Sequence, residues 1–97
     1  MAEAKLTGGE ALAQALARAG VDFVFGIPGG GQYEAVDGLY GESTISYIAT
    51  RHEQAASYMA DGYARVSGRV AVALVVPGPG LCNAASGLLT AAATSSP

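Results

Sequence analysis

Val70-Ala71-Val72-Ala73-Leu74-Val75-Val76, broken at once by Pro77-Gly78-Pro79-Gly80, decides the class of fold. An unbroken apolar run of this length gives no alternation of inside and outside, which is the pattern of a strand covered by helices on both faces. It is expected to be a central parallel strand and the most buried element. Earlier in the chain, Ile45 to Ile48 reads as a strand, and so does Val21 to Phe25, which is short, β-branched and aromatic. Helical spacing fills the intervals. Thr7-Gly8-Gly9-Glu10 has capping-box spacing ahead of Leu12, Leu16 and Ala19, and Gly20 offers a left-handed stop. Helix is compatible with Gln32 to about Tyr40. From His52 or Glu53 to about Ser67, Ala56, Met59, Ala60 and Tyr63 recur at helical intervals before Gly68, and Leu81 to about Ala93 reads as a small-residue helix. The order α-β-α-β-α-β-α predicts an α/β fold, a parallel sheet with helices on both faces, with ligands held in the crevice beyond the carboxyl ends of the strands.

Ninety-seven residues suffice for one small domain or part of a larger one, since a chain of this size hides only about 60 to 70% of its unfolded surface. The composition is 51% hydrophobic and 13% charged, against a usual charged share of about 25%, so part of the surface is expected to meet protein rather than water. Eight acidic and five basic residues give a net charge of −3 without any cluster of Lys or Arg, which argues against nucleic acid as a partner. Met1-Ala2-Glu3-Ala4-Lys5 carries no apolar run, and Val70 to Val76 is far short of the roughly 20 residues that span a bilayer, so no membrane partner is expected. One cysteine, Cys82, and one histidine, His52, provide neither an internal disulfide nor a zinc ligand set. A soluble, cytoplasmic chain is expected.

The unusual residues gather at the strand exits: Gly26-Ile27-Pro28-Gly29-Gly30-Gly31, then Arg51-His52-Glu53-Gln54, then Pro77-Gly78-Pro79-Gly80-Leu81-Cys82-Asn83. Neither glycine-rich segment has the third glycine of G-x-G-x-x-G or a Walker lysine, which disfavours a dinucleotide module. Close backbone approach to a flat ligand is the sharper reading. Glu53 stands between a strand and a helix beside Ala55 and Ala56. It is either a carboxylate placed on the helix macrodipole or an acid, partly withdrawn from water, suited to share a proton. His52 reads as a loop-fixing hydrogen-bonding residue, because no serine or cysteine is placed by sequence to make a triad with it. Cys82 reads as small buried packing rather than a dipole-activated thiol, and Tyr58, Met59 and Tyr63 as core or interface.

Together, Gly20-Val21-Asp22-Phe23-Val24-Phe25-Gly26-Ile27-Pro28-Gly29, Arg51-His52-Glu53-Gln54-Ala55-Ala56, Gly62-Tyr63-Ala64-Arg65, and Gly78-Pro79-Gly80 with Asn83 resemble a known family. The similarity is to the N-terminal pyrimidine-binding domain of thiamine diphosphate-dependent decarboxylases and carboligases, the acetolactate synthase group in particular, and runs from about Thr7 to Pro97. It implies a flavodoxin-like thiamine diphosphate-binding fold, truncated here, of which residues 1–97 are the N-terminal part and whose next strand is expected just past Pro97. It implies a catalytic role for Glu53, which would hydrogen-bond N1′ of the cofactor's aminopyrimidine and favour the imino form whose N4′ takes the thiazolium C2 proton, arming the cofactor against a 2-oxo acid. Pro28 and Gly29 would lie against the cofactor, and Gly80 and Asn83 would line the pyrimidine side, so that the binding set is Pro28, Gly29, Glu53, Gly80 and Asn83.

The same resemblance assigns no metal ligand to this chain, because diphosphate and Mg²⁺ belong to a separate domain marked by a Gly-Asp-Gly and a later Asn. The expected partner is that diphosphate-binding domain or subunit, within a homo- or hetero-oligomer, and the isolated chain is expected to be inactive. Ser95-Ser96 stands where many relatives have Asp-Ser, and Gly31 where acetolactate synthases often carry alanine. The shared motifs leave open which 2-oxo acid is used and whether it is decarboxylated or joined to a second molecule. The alternative is a noncatalytic subunit or remnant that pairs with a partner through its alanine-rich helices.

Overall fold

Thr7 opens the first helix, its hydroxyl accepting from the Glu10 backbone N–H at 3.1 Å. Helix α1 then runs Gly8–Arg18 and ends where Gly20 takes φ 84°, a left-handed conformation that costs glycine no Cβ clash. The computed structural model, which describes residues 5–97, continues with β1 (Phe23–Gly26), α2 (Tyr33–Tyr40), β2 (Ser46–Ala49), α3 (Glu53–Ser67), β3 (Val72–Leu74) and α4 (Pro79–Ala93). Met1 to Ala4, included in the 1–97 domain expectation, lie outside the described residues. The alternation of helix and strand is the one expected.

The strands are parallel in the order β2-β1-β3, with Phe23 opposite Ser46 and Val24 opposite Val72. This is the opening of the flavodoxin-like order, in which the reversal between β1 and β3 leaves a crevice at the carboxyl edge. Successive residues of β1 face opposite layers. Val24 joins Ala13 of α1, Leu39 of α2, Val21 and Ile45, whereas Phe25 joins Ala56 and Ala60 of α3. The helix pairs close through small residues: a Cβ on Gly9 would run into the Glu34 carbonyl, one on Gly38 into the Gly9 backbone, and one on Gly87 into Ser57.

The Val70–Val76 run is covered on both faces, with Val72 and Leu74 toward α1 and α2, and Ala71 and Ala73 toward α3. It is nevertheless not the most buried element: β3 is half-buried and lies outermost among the three described strands, with β1 between it and β2. Two-sided apolarity reports the covering helices, while strand order depends on pairing that no local pattern encodes. β1 starts at Phe23 rather than Val21 because the Val21 N–H donates to the Leu16 carbonyl, extending the close of α1. α4 starts at Pro79 rather than Leu81, since proline in the first helical turn sacrifices no helical hydrogen bond. Cys82 is exposed, not buried: Gly80, Ala84 and Gly87 define the inward face of α4, and position 82 falls on the other side. Tyr58 and Met59 are likewise 41% and 42% exposed, outside the core, and Tyr63 alone of the three packs into it.

Tyr63 explains one of the sequence motifs. Its ring meets Phe23 edge-on at 5.4 Å between centroids, and its hydroxyl donates to Asp22, which also receives Arg69 at 2.9 Å. Arg69 donates onward to the Gly20 carbonyl at 2.7 Å. Within the Gly62-Tyr63-Ala64-Arg65 segment it is Tyr63 that fastens the amino end of the sheet, away from the strand exits, while Arg65 pairs with Asp61 on the same helix. There the hydrogen bond to Asp22, together with burial and the carboxylate's charge, holds the Tyr63 phenol above its ordinary pKa.

Candidate functional site

The turn between β2 and α3 sets Glu53. Thr50 continues the ladder, its N–H donating to the Gly26 carbonyl at 2.8 Å, and its hydroxyl donates to the His52 carbonyl at 2.9 Å. His52 caps α3: its Nδ1 accepts from the Gln54 N–H at 3.0 Å, which commits the ring to the turn. This is the loop-fixing role expected of it. Glu53 follows as the first residue of α3, half-buried at the carboxyl edge of the sheet.

Helix α4 meets it there. Asn83 Nδ2 donates to Glu53 Oε1 at 3.2 Å. The second carboxyl oxygen, Oε2, lies 3.3 Å from where a Cβ on Gly80 would stand, so the missing side chain is what keeps it uncovered. That same Cβ would stand 2.7 Å from Val76 Cγ2, and a Cβ on Gly29 would stand 2.6 Å from Val76 Cγ1. Val76 is thus wedged between the two loops, one methyl against each glycine, and only two glycines admit it at that spacing. Val76 thus links Gly29 to Gly80, Gly80 abuts Glu53, and Asn83 is bonded to Glu53. Pro28, the remaining residue expected here, is exposed beside Gly29.

Two residues of this region escaped the sequence reading. Val76 looked like one more apolar residue of a strand, and its signal was the pair of glycines that meet it only in space. Gln32 is 7% exposed; its Nε2 donates to the Ile27 carbonyl at 2.6 Å, and its Oε1 has no partner among the described residues. Tyr47 Oη is the other buried side-chain oxygen without a partner among the described residues; it lies 3.1 Å from where a Cβ on Gly26 would be, and burial pushes its phenol above its usual pKa. An open groove of about 660 Å³ runs between the first turns of α1 and α2 and the exit of β3, lined by Gly9, Leu12, Gln32, Tyr33, Leu74 and Pro77 among others.

Among the described residues no group of three or more His, Cys, Asp or Glu side chains is placed to hold a metal ion, and no helix is long and apolar enough to cross a membrane. The arrangement is suited to a flat, uncharged or weakly basic ring: one carboxyl oxygen fixed, the other open, and glycine backbone on either side.

The family model described as "Thiamine pyrophosphate enzyme, N-terminal TPP binding domain" matches residues 6–97. The chain is 48% identical over 93 residues to the acetolactate synthase large subunit of Haemophilus influenzae, an alignment covering 96% of this chain and 16% of that protein. It is 53% identical over 92 residues to the probable 2-ketoarginine decarboxylase AruI of Pseudomonas aeruginosa, covering 95% of this chain and 16% of that one. A probable acetolactate synthase large subunit of Methanocaldococcus jannaschii is 47% identical over 92 residues, 95% of this chain and 15% of its own length. The chain therefore spans about 16% of the length of these relatives.

Proposed function

The chain belongs to the thiamine pyrophosphate enzymes through their N-terminal TPP binding domain, and from this we propose that residues 1–97 supply the pyrimidine-binding, cofactor-activating part of an enzyme acting on 2-oxo acids. The observation that carries the reading is the Glu53 carboxyl, held at Oε1 by Asn83 and left open at Oε2 above Gly80. The residues fit the group: a ring nitrogen needs an in-plane carboxyl oxygen with no side chain in front of it, and the space a Cβ on Gly80 would fill provides that. Thiamine diphosphate, when bound, supplies a carbon acid that becomes a nucleophile toward a carbonyl.

Glu53 would share a proton between Oε2 and a ring nitrogen of the bound group, the catalytic role in this chain. Asn83 keeps Oε1 occupied, so the carboxyl presents one oxygen in one orientation. Gly29 and Gly80 let backbone approach the ring, Val76 sets the gap between them, and Pro28 borders it; with Glu53 and Asn83 these glycines and Pro28 form the binding set. A neighbouring base positioned by such a contact contributes about 10²- to 10⁴-fold to proton transfer. In the enzyme assembled with a diphosphate-binding domain, Glu53→Gln is expected to slow C2 proton exchange of bound thiamine diphosphate by about that factor, with folding nearly unchanged. An unchanged exchange rate removes Glu53 from this role.

The rest of the reading is a matter of partners. The diphosphate and Mg²⁺ are assigned to a separate domain or subunit, within an oligomer, and the substrate is a 2-oxo acid whose identity these residues do not select. A reducing cytoplasm suits the lone thiol of Cys82. The alternative, a noncatalytic partner-binding subunit, draws support from the apolar residues exposed on α3 and α4, among them Tyr58, Met59, Val66, Leu81, Leu88 and Leu89. Co-elution with a diphosphate-domain chain that restores cofactor-dependent turnover supports the enzyme part; co-elution without turnover supports the structural one.

A further inference from the structure

Gln32 breaks two local rules at once. It stands at the N-cap of α2, with φ −140° and ψ 12°, yet makes no side-chain capping bond, and glutamine is not among the residues that cap well. It is also a buried amide whose carbonyl oxygen has no partner among the described residues, an arrangement that costs stability and that leucine or methionine would avoid. Locally unfavourable choices of this kind concentrate where function imposes them.

What the residue does instead is tie a loop. Its backbone N–H donates to the Gly29 carbonyl at 3.3 Å, and its side-chain Nε2 donates to the Ile27 carbonyl at 2.6 Å. The carbonyls on either side of Pro28 are therefore both held by one residue. On the far side, Gly29 abuts Val76, and a Cβ on Gly31, at φ 86°, would stand 3.2 Å from Pro77 Cδ. The loop is pinned from within by Gln32 and braced from without by the exit of β3.

We propose that Gln32 is a positioning residue for the cofactor site: it sets the wall formed by Pro28 and Gly29 at the spacing from Val76 and Gly80 that a flat ring requires, without itself touching the ring. The proposal rests on the reading of that site as cofactor-binding. No residue of the wall other than glycine and proline is involved, so the spacing has to be imposed from a neighbour, and Gln32 is the residue bonded to both sides of Pro28.

Two variants test it. Gln32→Leu keeps the bulk and removes the donor; Gln32→Glu keeps the shape and replaces the donor with an acceptor that repels the Ile27 carbonyl. In the 97-residue chain, amide hydrogen exchange at Gly29 to Gln32 is expected to quicken about tenfold in both variants while the α3 and α4 amides are unchanged. In the enzyme assembled with a diphosphate-binding domain, the thiamine diphosphate dissociation constant is expected to rise about ten- to a hundredfold, with C2 proton exchange at saturating cofactor within about twofold of the parent. Cofactor affinity at the parent level in either folded variant, unaltered loop exchange, or loss of folding in both overturns the proposal. If the loop loosens as expected but the parent assembly shows no affinity for thiamine diphosphate, the clamp stands and the cofactor reading is what has failed.

Discussion

At the scale of the residue, Gly80 decides what Glu53 can do. A methyl there would stand against Val76 Cγ2 on one side and Glu53 Oε2 on the other. Gly80→Ala is therefore expected to cost stability by overpacking, about 1–3 kcal/mol in a denaturant titration, and also to slow cofactor C2 exchange. The two effects separate in the double variant: Val76→Ala alongside Gly80→Ala gives back the room behind the methyl but not the space in front of Oε2. Recovery of stability without recovery of exchange is the expected outcome, and recovery of both would mean the carboxyl was never obstructed. Glu53 and the glycine run holding Gly80 stood out in the sequence at strand exits, and the family resemblance placed Asn83 beside them. Val76 and Gln32 did not stand out. An apolar residue ending an apolar run and a glutamine opening a helix are ordinary choices locally, and what makes them matter is a glycine 47 positions away in one case and a carbonyl five positions back in the other.

At the scale of the element, helix limits followed local chemistry and strand placement did not. Thr7 with Glu10, and Gly68 at φ 71°, mark ends that need only nearby atoms. The edge position of β3 needs the whole strand order, and a run of valines and alanines looks alike at the centre and at the margin. The helix crossings yield a prediction of their own. Because α1 and α2 touch backbone to backbone, Gly9→Ala is expected to push them apart and lower the thermal midpoint, whereas alanine at Gly8, with open space around it, is expected to leave it close to the parent value. Helix α3 carries a pH dependence. The Arg65 hydrogen bond, with help from the Ser96 hydroxyl and the Arg65 charge, holds the Asp61 carboxyl below its ordinary value of 3.8. A depressed folded value means that the unfolded chain takes up the proton first, so this contribution is present above pH 3.8 and is lost as pH falls through the lower folded value. Thermal midpoints measured down the acid limb should fall less steeply in Asp61→Asn than in the parent. Tyr63 works in the opposite sense: its raised value keeps its contribution intact below pH 10 and loses it above, and Tyr63→Phe should flatten that alkaline loss.

At the scale of the whole molecule, the small core carries a three-stranded sheet in which only β1 is paired on both sides. Leu39, 2% exposed between α2 and the sheet, is a principal filler, and Leu39→Ala is expected to destabilise by about 2–5 kcal/mol, enough to unfold much of a chain this small. A folded, cooperative Leu39→Ala variant with an unchanged denaturant midpoint would contradict that account of the core. The family and the alternating architecture were legible in the sequence, since glycine-rich turns and a doubly covered strand survive as local patterns. The division of labour between the two ends of the sheet was not, because Tyr63 stands within the same run of recognisable residues as Glu53 yet bonds to Asp22 at the far end. Asp22, Tyr63 and Arg69 bear the mechanical fastening; the exits near Gly29, Glu53 and Gly80 are where the proposed cofactor chemistry lies. The two jobs are spatially insulated. Substitutions that retune the reactive end at some cost in stability can therefore be underwritten by reinforcement at the fastened end, which gives the scaffold room to diversify its chemistry while its foundation stays the same.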